Sequence, residues 1–294
     1  MEPMQIVLVT GCSFGLGTNI AMKFAGDPRQ CYKVWAAVRV KEESELITKL
    51  AGDFLNKTLF VCDIDLSSKD SIVSTVNTIL KTDGRVDILV NNGVCNYFCP
   101  FENLEMAAVR RVMEVNFFGH LRIIHMILPT MKKRRHGRVI SIGSMGAVGV
   151  NSPFCEFFDA SKNALAIFGD NMNGQLRSYN VWFSIVHPGA IRTQRPIDIF
   201  VNRNYKDIVR VPCGGDDVTN QLFENYLELL SNSYSSGYAQ EPDSVADVVK
   251  EVSEKEKPVA MYQTDQNGTA LAANTYKDTT GEVTVKHISA VLGL

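Results

Sequence analysis

Between Phe157 and Lys162 the chain reads F-F-D-A-S-K, and Ser144 lies upstream of it. A hydroxyl can donate a hydrogen bond to an oxygen that is gaining negative charge, and an ammonium lowers the pKa of an acid beside it. A proton donor one helical turn before that lysine would have its pKa lowered by the ammonium. Here that position is Phe158, which has no ionisable proton. Glu156 and Asp159 are adjacent in sequence, but on a helix they point about 100° or more away from position 158. No tyrosine lies between Tyr97 and Tyr179.

These residues need elements to hold them. Met4 to Thr10 is a continuous apolar run, as a strand buried on both faces of a parallel sheet requires. T-G-C-S-F-G-L-G follows, opening a helical pattern through Ala25. Glycines at 11, 15 and 17 allow a tight turn and let backbone N–H groups approach a pyrophosphate at a helix N-terminus. Further strands are expected over Tyr32–Val38, Leu59–Cys62, Val86–Val90, Arg138–Ile142 and Val181–Val186. Helices are expected between them: one opened by a capping box at Ser67 and Asp70, one long amphipathic segment over Glu102–Lys133, and one carrying Phe158 and Lys162. Strand–helix alternation with short links implies an α/β fold, a doubly wound parallel sheet with helices on both faces in a single domain.

The second strand ends in Arg39, with Lys41 beyond and no acidic residue to accept bonds from adenosine ribose hydroxyls. A cation there suits a 2′-phosphate and favours NADP(H) over NAD(H). After Thr193 the pattern loosens. A substrate loop is expected over about 194–241, with helices at Val218–Leu230 and Pro242–Val252 and a last strand near Pro258–Met261. The domain then spans 1–262, and the tail 263–294 has no assigned role.

The chain has 294 residues, 45% of them hydrophobic, and a net charge of −2, with lysine and arginine dispersed. That leaves no electrostatic footprint for nucleic acid. The one basic run, Lys132–His136, precedes Gly137, where a helix end capped by the glycine is expected. Seven cysteines at irregular positions, with no signal peptide ahead of them, read as thiols of a cytoplasmic protein. No metal-ligand spacing is present, and no apolar run reaches the ~18 residues a membrane span needs.

T-G-C-S-F-G-L-G, Asp63, N-N-G at 91–93, Asn116, Ser144, S-K-N-A-L after position 160 and P-G-x-x-x-T at 188–193 occur here in one order. With them the chain resembles the short-chain dehydrogenases/reductases over residues 4 to 262, and most of all the branch of 17β-hydroxysteroid and photoreceptor retinol dehydrogenases. The resemblance implies a catalytic group of Asn116, Ser144, Lys162 and, in place of the family's tyrosine, Phe158. Asn116 would hold a relay water and Ser144 would bond the substrate carbonyl. Lys162 would bond the nicotinamide ribose and lower the pKa of the missing acid. Cofactor contacts are implied at Gly11, Ser13, Phe14, Gly15, Leu16 and Gly17 around the phosphates, and at Arg39 on the 2′-phosphate. Asp63 and Ile64 would lie at the adenine, Asn91 and Gly93 at the ribose, and Lys162, Pro188, Gly189 and Thr193 around the nicotinamide. Val94 in the N-N-G-V turn and Phe14 in the phosphate loop depart from the family pattern; Val94 would crowd the cofactor ribose, and Phe14 would either cover the adenine or crowd it.

Singly, Ser144 reads as a turn residue, Asn116 as a helix bend and Lys162 as a surface charge; together at family spacing they read as a site. The expectation is an NADP(H)-dependent carbonyl/alcohol oxidoreductase for a lipophilic substrate, a homodimer packed through 102–133 and 156–178. As written it is an inactivated form, because Tyr→Phe keeps the volume and removes one oxygen, as a deliberate active-site mutant would. The alternatives are a natural cofactor-binding sensor or partner module, or an isomerase or lyase on the same scaffold.

Overall fold

The computed structural model describes residues 4–149, 152–193, 216–275, 277–278 and 280–293. Seven parallel strands form one sheet in the order β3-β2-β1-β4-β5-β6-β7. They are β1 (Gln5–Thr10), β2 (Tyr32–Val38), β3 (Leu59–Asp63), β4 (Ile88–Asn91), β5 (Gly137–Ile142), β6 (Val181–His187) and β7 (Met261–Gln263). The order reverses between β1 and β4, and at such a switch point the strand ends open a crevice.

Alternation along β1 divides the core. Val7 and Val9 face one layer with α1 (Leu16–Ala25), α2 (Glu45–Ala51) and α8 (Pro242–Glu254). Ile6 and Leu8 face the other, with α3 (Lys69–Asp83), α5 (His120–Arg134) and α6 (Glu156–Leu176). The remaining helices are α4 (Met106–Met113), α7 (Asp217–Ser235), α9 (Gln266–Thr275) and α10 (Glu282–Leu292).

Several expectations are corrected. The expected helix over 102–133 is two helices, α4 and α5, joined by a π turn at Glu114–Gly119. Such turns insert a residue and redirect a side chain, often at a functional site. Gly119 is required there, since a Cβ would meet the Leu66 carbonyl oxygen at 2.5 Å. Ser68, not Ser67, caps α3; the Ser67 hydroxyl donates to Asp65 instead (2.7 Å). Arg135 itself takes the left-handed position after α5 (φ 52°), so Gly137 is free to begin β5. The polar stretch after Leu230 stays helical to Ser235, because Tyr234 continues the buried stripe of Phe223, Tyr226 and Leu227. The last strand begins at Met261, and the tail forms α9 and α10.

Candidate active site

The loop after β1 lies over the crevice. Gly11 and Gly15 have φ of 72° and 70°, and a Cβ on Gly17 would lie 2.2 Å from the Gly11 carbonyl oxygen. None of the three positions tolerates a side chain. No side chain caps α1, which begins at the buried Leu16, so its first backbone N–H groups stay available to an anion. The next turn is clamped to this loop: Thr10 Oγ1 accepts the backbone N–H groups of Asn92 (3.0 Å) and Gly93 (3.1 Å), and Asn92 Nδ2 donates to the carbonyls of Thr10 and Gly11. Asn91 is fully buried; its Nδ2 donates to Ser141, and its Oδ1 has no partner among the described residues. Thr193 stands over Gly15, and Pro188 and Gly189 leave β6 beside it. A buried acceptor awaiting a donor, beside a glycine cradle at a helix start, fits a dinucleotide. Val94, expected to crowd this space, is exposed.

At the C-terminal ends of β2 and β3, Arg39 and Asp63 lie close together, with Ile64 buried after them. The Arg39 backbone N–H donates to Ser13 Oγ (3.3 Å), and its guanidinium pairs with Glu43. Phe14 is part-exposed on the same rim.

The reacting end gathers Ser144 at the end of β5, Phe158 and Lys162 on α6, and Asn116 in the π turn. Lys162 is 2% exposed; its ammonium donates to the Ile142 carbonyl (2.8 Å) and lies 5.7 Å from the centre of the Phe158 ring. Burial lowers its pKa to about 8. Ser144 Oγ accepts the Gly146 N–H (3.1 Å), and the proton of the hydroxyl remains free to donate. The Asn116 side chain is committed to structure: its Oδ1 accepts Cys95 N–H (2.8 Å), and its Nδ2 donates to Cys95 O and Ser161 Oγ. Of the four expected residues, Lys162 faces the Phe158 ring, Asn116 is tied to α6 through Ser161, and Lys162 bonds Ile142, two residues before Ser144.

Sequence reasoning missed two buried histidines. His187 Nδ1 lies 2.8 Å from the Ser144 carbonyl oxygen, and Gly143 must be glycine because a Cβ would meet that ring nitrogen at 2.5 Å. Burial, aided by Lys162, lowers the His187 pKa to about 4. The Ser144 N–H also points at this Nδ1 (3.3 Å), and Nε2 is buried with no partner among the described residues. His120, one turn beyond Asn116, has both ring nitrogens buried beside the backbone of Asn116 and Gly93; burial and then Lys162 lower its pKa to about 3. The signal for both was an imidazole at a strand end or inside an apolar helix stripe.

Asp159 is buried, and burial raises its pKa to about 7. It turns from the Phe158 position, as the helix angle implies, accepts the Ser152 N–H (2.9 Å) and packs on Gly146. Tyr226 reaches Ser152 and Cys155 from α7, but burial pushes its phenol well above the ordinary value, which makes it a poor acid.

The family model described as short chain dehydrogenase matches residues 5–203. The chain belongs to the short-chain dehydrogenase family, whose members bind a nicotinamide dinucleotide. It is 33% identical to retinol dehydrogenase 8 of Bos taurus over 284 residues, covering 96% of this chain and 88% of that protein. It is 30% identical to human 17-beta-hydroxysteroid dehydrogenase type 1 over 286 residues, covering 96% and 84%. A short-chain dehydrogenase from Streptomyces avermitilis shares the fold (TM-score 0.78, 20% identity, 97% and 96% covered).

Proposed function

We propose that this chain is an NADP(H)-binding oxidoreductase scaffold for interconversion of a carbonyl and an alcohol on a lipophilic substrate, with its proton-transfer step disabled at position 158. The observation that carries this reading is the buried Lys162 ammonium beside the Phe158 ring, with Ser144 at the neighbouring strand end. When bound, the nicotinamide supplies or accepts hydride. Ser144 holds the substrate oxygen by a hydrogen bond, and Lys162 orients the cofactor's ribose and lowers the pKa of an acid at 158. A phenyl ring at 158 fills the acid's volume and gives no proton. General acid catalysis is worth about 10²–10⁴-fold, so turnover falls to near background while binding persists. Asn116, through its grip on Cys95, holds the wall of the site and a place for relay water.

The glycine cradle, Leu16, Asn91 and Gly93 take the phosphates and ribose. Ser13, Arg39, Asp63, Ile64 and Phe14 surround the adenosine, and Pro188, Gly189 and Thr193 the nicotinamide. The retinol and steroid names of the relatives support a lipophilic alcohol or carbonyl as substrate. Thiols at Cys12, Cys31, Cys62, Cys95 and Cys155 support a cytoplasmic setting, and no described helix is long and apolar enough to cross a membrane. Isothermal titration with NADPH tests the scaffold: saturable binding that Lys162→Met weakens supports the reading, and absence of binding to the folded chain contradicts it. A second reading, favoured by Phe158 itself, is a cofactor-binding sensor with no chemistry.

A further inference from the structure

We infer that Glu43 is a built-in occupant of the 2′-phosphate cradle and sets how strongly this chain prefers NADP(H) over NAD(H). The inference rests on the proposed placement of Arg39 at the adenosine ribose. Ser13 Oγ donates to Glu43 Oε2 (2.8 Å), while the Arg39 guanidinium pairs with Oε1 of the same carboxylate. The Ser13 hydroxyl also accepts the Arg39 backbone N–H (3.3 Å), so three residues form one closed set.

A carboxylate that takes a hydroxyl on one oxygen and a guanidinium on the other reproduces two of the three acceptor oxygens of a phosphate monoester. Glu43 is well placed for this. It lies on the single turn Lys41–Ser44 directly after β2, and its side chain is 27% exposed against 57% for Arg39. The remaining charged groups of this rim are Lys41, Glu42 and Asp63, all exposed and outside the three-residue set.

The two cofactors meet this set differently. A 2′-phosphate brings close to two negative charges to an arginine already neutralised, so Glu43 must rotate away and surrender both contacts. A 2′-hydroxyl can donate to the Glu43 carboxylate and leave the pair with Arg39 intact. Loss of the Glu43 charge with its shape kept therefore strengthens NADPH binding and leaves NADH binding nearly unchanged.

The test is the dissociation constants of NADPH and NADH, by titration calorimetry, for the unaltered chain, Glu43→Gln and Arg39→Met. Glu43→Gln is expected to tighten NADPH about tenfold, the scale of one partly exposed ion pair and one like-charge contact, with NADH within about twofold. Arg39→Met is expected to weaken NADPH selectively. If Glu43→Gln leaves the preference for NADPH over NADH unchanged or lowers it while Arg39→Met also lowers it, the role of Glu43 is overturned and the NADP(H) reading stands. If neither substitution moves the ratio, this rim does not meet the 2′ position, and both fall.

Discussion

Lys162 is a cation sealed from water, and among the described residues its ammonium donates to one backbone carbonyl, that of Ile142; its neighbours inherit the consequences. Its charge helps keep His120 and His187 neutral, and an acid installed beside it would ionise more readily. Asp159 shows the opposite shift in the same region. Its folded pKa, about 7, lies above the ordinary 3.8, so the native state binds more protons than the unfolded one between those values. The stability this contributes is full below about pH 4 and is lost as pH rises through 7. The histidines act the other way: with folded values of about 4 and 3 against 6.5, they lose stability as pH falls below 6.5. The wild-type profile therefore mixes opposed terms, and a difference isolates one of them. The melting temperature of Asp159→Asn minus that of the unaltered chain is expected to grow from pH 4 to pH 8; a constant difference would contradict the buried titration. None of these three side chains was legible as special in the sequence, because burial of a single polar residue leaves no spacing signature. The glycine cradle was legible, since turn geometry constrains residue type directly; Ser144 and Lys162 stood out only through the spacing of the family they resemble.

The π turn between α4 and α5 is the element that most changes the site from what periodicity suggests. It turns Asn116 inward, where its amide pairs with both backbone groups of Cys95 and so fixes the loop leaving the Asn91–Gly93 turn. Hydrophobic spacing reads straight through such a turn, which is why a single long helix was expected. Asn116→Ala leaves those two backbone groups unpaired and is expected to lower unfolding stability by about 1–3 kcal/mol, measured by urea denaturation; an unchanged midpoint and slope would show that water replaces the amide without loss. A second tie joins distant elements. Asp27, buried after α1, accepts two hydrogen bonds from the Arg29 guanidinium (2.8 and 2.7 Å) and pairs with Lys250 on α8. Asp27→Asn leaves Lys250 without its counter-charge and Arg29 with Glu254 alone, and is expected to cost about 1–3 kcal/mol in the same measurement; a loss below about 0.5 kcal/mol would mean the pair behaves as a surface contact.

The molecule as a whole presents the two helices that flank the site with apolar groups outward: Phe118 in the π turn (46% exposed) and Ile167 on α6 (60%). A second copy packed there would bury them, consistent with the proposed homodimer. Light scattering is expected to give twice the chain mass for the unaltered protein and the chain mass for Ile167→Glu; a monomer in both cases would contradict it. The doubly wound sheet was the most legible feature of all, because buried parallel strands read as apolar runs between amphipathic stretches. The tail helices were not, since their patterns are weak and their packing on α7 and on the Met145–Val148 turn is long-range. The scaffold, the cradle and the buried lysine all rest on one central claim, that the pocket lacks only a proton. Phe158→Tyr tests it most directly, with consumption of NADPH followed optically against ketosteroids, retinals and aryl ketones. Turnover should rise by about 10²–10⁴-fold on at least one of these carbonyls. A variant that binds NADPH as tightly as before and reduces none of them would contradict the account.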